Sequence, residues 1–224
     1  IADCEHGNRF ALHNGVVIAN CGYGMGRDRF RDYLNAGPLG MPPTFLEDIP
    51  ALAGEVNPYL TVVNAYREQN WPITAMWRQL ETVLMDMTYK GTDMTLGPLK
   101  IGFETMTGPN GLKLQYPQLV YRNKQWSYLS ADGWTNLFGG KVLENIIQFL
   151  SRIGICEQMV LVAAMAEYLG GRCVLQVHDE IVTLIWDSVI DKFDDFVNEV
   201  MHQPLPWMPL CPLASEADIG PTYS

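Results

Sequence analysis

The sequence predicts an α+β fold, and three stretches carry that prediction. Val174 to Trp186 reads as two apolar, β-prone runs meeting at His178-Asp179-Glu180, the pattern of an antiparallel hairpin with a polar tip. Lys141 to Leu169 is a long apolar stretch of helical periodicity. From Gly91 to Asp132, Gly, Pro and Thr separate short alternating runs, as in a small antiparallel sheet.

Taken in chain order, Ile1 to Asn20 holds an apolar run, an Asn14-Gly15 turn signal and the β-branched run Val16-Val17-Ile18, which together predict a β-hairpin. Cys21 to Leu34 reads as helical, with Arg27, Arg29 and Arg31 near its start. Pro38, Gly40, Pro42 and Pro43 mark a loop, and residues 44 to 64 give no clear period. Asn70-Trp71-Pro72 predicts a helix start with Asn70 as the cap. Ile73, Trp77, Leu80, Val83, Leu84 and Met87 follow at helical spacing and predict a core-facing stripe. In the sheet region, turns are expected at Pro109-Asn110-Gly111 and Asn123-Lys124. Gly139-Gly140 opens the long helix, and Gly154 is a place where it can bend. Ile190, Phe193, Phe196, Val197 and Val200 form the inner face of a last helix whose acids face solvent, before a proline-rich, extended tail. The six tryptophans are assigned to the core rather than to a cofactor platform.

Composition bounds the function. At 224 residues, 48% hydrophobic and 18% charged, the chain is globular in class. No run of about eighteen apolar residues occurs, so no membrane span is expected. Ile1 opens no charged-then-apolar leader, so no secretory signal is expected. Five cysteines without regular spacing fit a reducing cytosol and offer no zinc site. The net charge of −10 lacks the basic footprint usual for nucleic-acid binding, so any such reading rests on motifs.

Two features carry chemistry. On the long helix, Lys141, Asn145, Gln148 and Arg152 fall at spacings of four, three and four and share one stripe. Cations and amides without acids suit phosphate oxygens and minor-groove base edges. At the hairpin tip, Asp179 and Glu180 are adjacent, and neighbouring strand residues point to opposite faces, so Asp179 ranks above Glu180 as a metal ligand.

Lys141-Val142-Leu143-Glu144-Asn145-Ile146-Ile147-Gln148, followed some thirty residues later by Val177-His178-Asp179-Glu180, resembles the palm of family A DNA polymerases, especially those of bacteriophages. Tyr66-Arg67 with Pro72 and Trp77, and the closing residues after Pro212, look similar too. The resemblance implies that Asp179 is the second aspartate of the catalytic metal pair, with Glu180 beside it in the catalytic group and His178 at the DNA. It places Tyr23 at the nascent base pair and Gly24 where the backbone gives it room. It also implies DNA binding by Lys141, Asn145, Gln148 and Arg152, with primer–template DNA and a deoxynucleoside triphosphate as partners. The expected cofactor is a pair of Mg²⁺ ions, one shared with a carboxylate from a missing upstream half. The cell compartment implied is the bacterial host cytoplasm.

That family carries Arg-x-x-x-Lys ahead of the Tyr-Gly, and the corresponding positions here hold Ala11 and Gly15. Phe10 to Asn20 followed by Cys21, with Asp3 and Glu5 in the block before, instead resembles the C-terminal end of inteins, including split inteins of replicative polymerases. The residue types match that chemistry. The Asn20 side-chain amide can attack its own peptide carbonyl, closing a succinimide and releasing the following chain. Cys21 supplies the thiolate that takes over an upstream acyl group, and an S-to-N shift then leaves an ordinary peptide bond. Ala19 stands where most inteins have a histidine, and Asn8 replaces another, with His6 and His13 nearby. Slow splicing, or help from neighbouring groups, is therefore expected. Twenty residues cannot bury a core alone, so another chain must complete the splicing domain.

The combined expectation is an α+β chain in three parts. Residues 1–20 are the intein segment, with a short β-hairpin of intein type; 21–135 are a fingers portion and crossover; 136–224 are a palm with a catalytic hairpin and long helix. The function is that of the C-terminal part of a DNA-directed DNA polymerase, a nucleotidyltransferase inactive until joined to its N-terminal half. Two alternatives stay open: a degenerate, non-catalytic polymerase-like DNA-binding protein, and an unrelated metal-dependent hydrolase using His178, Asp179 and Glu180.

Overall fold

A computed structural model describes residues 2–3, 9–11, 17–19, 24–37, 42–177 and 179–222, the first three segments by their backbone alone. The chain forms two compact units, Ile1–Asp86 with Leu119–Asn145, and Met87–Gln118 with Ile146–Ser224. Each mixes helices with antiparallel strands, the α+β class expected.

Strands β1 (Ala2–Asp3), β2 (Arg9–Ala11) and β3 (Val17–Ala19) pair antiparallel in that order. Phe10 faces Ile18 and Ala11 faces Val17, so the expected hairpin is present; the Asn14-Gly15 turn signal lies outside the described residues. β1 adds a strand that the sequence did not announce. Helix α1 (Arg27–Asn35) starts after Gly26, six residues later than the helical pattern suggested.

Residues 44 to 64, which gave no period, hold two short 3₁₀ turns and the start of α2 (Pro58–Gln69). Asn57 caps α2 by accepting from the Leu60 N–H at 3.0 Å, and Pro58 takes the first helical position, where its missing N–H costs nothing. Phe30 and Leu34 of α1, Leu46, and Tyr59, Val62, Val63 and Tyr66 of α2 form one buried cluster. The Tyr59 hydroxyl donates to Glu47 at 2.7 Å and holds that carboxyl below its ordinary pKa. Asn57→Ala is expected to cost about 1 kcal/mol, read as a lowered unfolding midpoint with the slope unchanged.

Helix α3 (Trp71–Asp86) buries Leu80, Val83 and Leu84, as the spacing predicted, and Met87, the first residue of the second unit, is buried too. Asn70 does not cap it by its side chain. Its amide donates back to the Tyr66 carbonyl at 2.9 Å and closes α2, while its backbone carbonyl accepts the first bonds of α3. The helix before it, unseen in the sequence, claimed the side chain.

The Gly91–Asp132 region is two meanders rather than one sheet. In the second unit, β4 (Met94–Leu96), β5 (Leu99–Gly102), β6 (Thr105–Thr107) and β7 (Lys113–Gln115) pair in sequence order. In the first, β8 (Val120–Arg122), β9 (Gln125–Ser130) and β10 (Gly133–Leu137) form a separate three-stranded sheet with β9 at its centre. Both turn expectations hold: Gly111 takes φ +85 and donates to Gly108, and Asn123 and Lys124 take φ +51 and +62 between β8 and β9.

Helix α4 (Gly139–Tyr168) runs thirty residues without a break at Gly154. That glycine serves packing instead, since a Cβ there would meet the Leu205 side chain at 2.8 Å. α4 leads to β11 (Arg172–Val177), β12 (Glu180–Leu184) and α5 (Ile190–His202). After α5, residues 203–222 join no sheet; an isolated bridge pairs Leu205 with Met208, so the expected closing strand is not formed among the described residues. By length and mean hydropathy of 1.5, α4 could cross a membrane. Its Val162 and Ala166 are buried against Phe193 and Val200 of α5, while Val160, Leu161 and Tyr168 are exposed.

The tryptophans do not all go inside. Trp126 is buried, whereas Trp71, Trp134 and Trp186 are 67%, 46% and 68% exposed.

Candidate functional site

The second unit presents the predicted hairpin, and its placement begins at the end of α4. The Gly171 N–H bonds to the Ala166 carbonyl at 2.8 Å and the Gly170 N–H to Glu167 at 3.0 Å, with Gly170 at φ +79. These two bonds and the left-handed residue make a Schellman cap, which ends the helix and sets the exit direction. A Cβ on Gly171 would collide with the Leu184 carbonyl, so the second glycine lets the two strands close. Trp186 donates its indole N–H to the Gly170 carbonyl at 3.1 Å and ties the far end of β12 to the same corner. Neither glycine was singled out from the sequence, although a Gly-Gly pair closing a long apolar period is a helix-stop signal.

β11 pairs with β12 from Arg172 opposite Leu184 to Val177 opposite Glu180, with a register shift between Cys173 and Leu175. Asp179 follows the last paired residue of β11 and precedes the first of β12. Asp179 stands in the turn and is exposed. Glu180, also exposed, is the first residue of β12 and belongs to the ladder. The two carboxylates thus sit in different backbone environments, Asp179 in the turn and Glu180 in the ladder. His178 lies outside the described residues.

Alternation sorts the hairpin's faces. Cys173, Ile181 and Ile185 pack on Val162, Ala166, Phe193 and Val200. Glu180, Val182 and Leu184 then point to the other side, together with Leu175. Leu175 and Leu184 are 47% and 57% exposed there, so this hairpin is apolar on both faces but covered on one. Burial raises the Cys173 thiol above its ordinary pKa.

On α4, Lys141 and Asn145 are half-buried, while Gln148 and Arg152 are exposed. The stripe is less purely cationic than its spacing implied, because Glu144, one turn on, pairs with the Lys141 ammonium at 2.9 Å. The first turn of α4 is held by Glu81 of α3, whose carboxylate accepts the Gly139 N–H at 2.6 Å. A negative group at a helix N-terminus is electrostatically favoured, and no sequence signal links residues fifty-eight positions apart. Gly24 takes φ +88, and the space a Cβ would need is filled by the Phe138 ring at 2.7 Å. Asn20, Cys21 and Tyr23 lie outside the described residues.

Among the described residues, no three His, Cys, Asp or Glu side chains converge as a complete metal cage. Mg²⁺ needs less than a cage: it binds through one or two carboxylates and takes its other oxygens from water and substrate phosphates. An exposed carboxylate at a hairpin turn fits half of such a donor set. Comparison with protein-family models, with curated proteins and with solved structures finds no match.

Proposed function

We propose that this chain is the downstream half of a bacteriophage-type family A DNA polymerase, headed by the closing segment of a split intein and joined to its upstream half by protein splicing at Asn20/Cys21. The observation that carries the reading is the exposed Asp179, in the turn of a hairpin packed on a long helix, within the sequence Val177-His178-Asp179-Glu180. The β2–β3 hairpin supports the intein half of it, since strands occupy the place where a polymerase of this kind would need a fingers helix.

In the joined enzyme Asp179 would hold Mg²⁺ together with a carboxylate from the upstream half. The ions, when bound, supply charge neutralisation for the primer 3′-oxygen and the triphosphate. Glu180 would stand beside Asp179 in the catalytic group. Lys141, Asn145, Gln148 and Arg152, with Tyr23, Gly24 and His178, serve primer–template DNA and the incoming nucleotide. The site of action is the bacterial host cytoplasm.

The open apolar side of β11 and β12 fits a chain that is half of a protein. Strands covered on both sides read as continuous apolar runs, and this hairpin has that composition with one side uncovered. Mixing the purified chain with an upstream half bearing an intein N-terminal segment should give one ligated product that lacks residues 1–20 of this chain. Asn20→Ala should abolish it, because the amide nitrogen that closes the succinimide is gone. Ligation at an unchanged rate in that variant would end the splicing assignment.

A further inference from the structure

We propose that the β8–β10 sheet is a contact for the sugar–phosphate backbone of DNA, built from Arg122 seated on Trp134 and from Lys124 at the adjoining turn. The inference rests on the polymerase reading for its ligand and on separate residues for its site. Arg122 leaves the edge strand β8, passes over the central strand and places its guanidinium carbon 3.6 Å from the centre of the Trp134 ring on β10. Both side chains are exposed. A guanidinium held against an aromatic face keeps its donor edge in a fixed direction, and that fork matches phosphate oxygens.

Two further observations point to a polyanion. Residues 105–131 carry no Asp or Glu in a chain with 25 acids and a net charge of −10, so β8, β9 and their turn present cations without an internal counter-charge. Asp132, in the β9–β10 turn, is the nearest acid in sequence. Second, Lys124 sits at φ +62, in a two-residue turn that favours glycine at this position. A lysine there adopts a costly backbone conformation and gains no packing, because it is exposed at the tip. Asn123 beside it at φ +51 tolerates the same region. Ser127 donates to Asn136 at 3.0 Å and ties β9 to β10 within the same sheet.

The test measures binding of the full chain to a short fluorescein-labelled primer–template duplex by anisotropy, over about 50 to 200 mM salt. Each phosphate contact removed should reduce the slope of log K against log salt by about 0.9. Arg122→Ala with Lys124→Ala is expected to flatten it by nearly two such steps; an unchanged slope overturns the proposal. Trp134→Ala removes no charge and is expected to weaken binding about threefold, with the slope kept, by freeing the guanidinium. Wild-type affinity in that variant overturns the platform. Asp179→Ala separates this from the polymerase reading. If the chain binds DNA through Arg122 and Lys124 but never supports extension, the surface stands and the polymerase assignment fails. If extension depends on Asp179 while the Arg122/Lys124 variant binds as wild type, the reverse holds.

Discussion

Asp179→Ala should reduce primer extension by the ligated polymerase about a thousandfold or more while leaving DNA binding and folding intact. A metal-ion carboxylate ligand supports several kcal/mol of transition-state charge stabilisation, and each 1.36 kcal/mol is a factor of about ten in rate. The residue is exposed in a turn, where truncation changes stability by no more than about 0.5 kcal/mol, so lost activity would report chemistry rather than unfolding. Glu180→Ala should have the smaller effect, because Glu180 opens a strand while Asp179 stands at the tip. Single-nucleotide incorporation under pre-steady-state conditions separates the two. Extension by the Asp179→Ala enzyme within tenfold of wild type would remove the catalytic assignment.

Gly139→Ala should destabilise the first unit by about 3 kcal/mol, an overpacking cost at the upper end of the usual range. A Cβ at this position would run into the Trp77 backbone carbonyl on α3, and backbone cannot rotate aside as a side-chain tip can. The same shift would pull the Gly139 N–H from Glu81, leaving a buried helix start without its acceptor. For a unit of this size the thermal midpoint should fall by roughly 10 °C or more. Gly91→Ala is the control, since nothing lies within 4 Å of a Cβ there and its effect should stay within about 0.5 kcal/mol. Equal melting of the two variants would show that α3 and the start of α4 are not in this contact.

Local signals carried much of the fold. Helices α3 and α5 were legible because their apolar residues keep a 3.6-residue period, and Val83, Leu84, Phe193 and Val200 are buried where that period places them. The hairpins at Arg9–Ala19 and Arg172–Leu184 were legible because β-branched runs flank short polar breaks. Helix α2 was missed although Asn57-Pro58 is a sound start signal, because Pro50 and Gly54 just before it broke the period in the same window.

Other features depended on partners far away in the chain. That Gly91 to Asp132 splits into two meanders turns on strand pairing, which no residue near Pro117-Gln118 advertises. The tryptophans were assigned inward by type, yet Trp134 became half of a surface pair with Arg122 because the register of β8, β9 and β10 put them on one face. The stripe on α4 lost a free cation to Glu144, an acid placed one turn on by helix geometry.

The amino-acid order by itself determined the class of fold, the helix and hairpin periods, the polar break at His178-Asp179-Glu180, and the motifs behind the polymerase and intein readings. Those properties depend on side-chain spacing of two to four residues, a range in which backbone geometry dictates who is neighbour to whom. Tertiary structure alone decided that Glu81 caps α4, that Gly139 and Gly171 must lack a Cβ, and that Arg122 lies on Trp134. It decided too that one side of the hairpin is left uncovered. Each of these joins atoms from separate elements, and packing selects such contacts only once the chain has closed on itself.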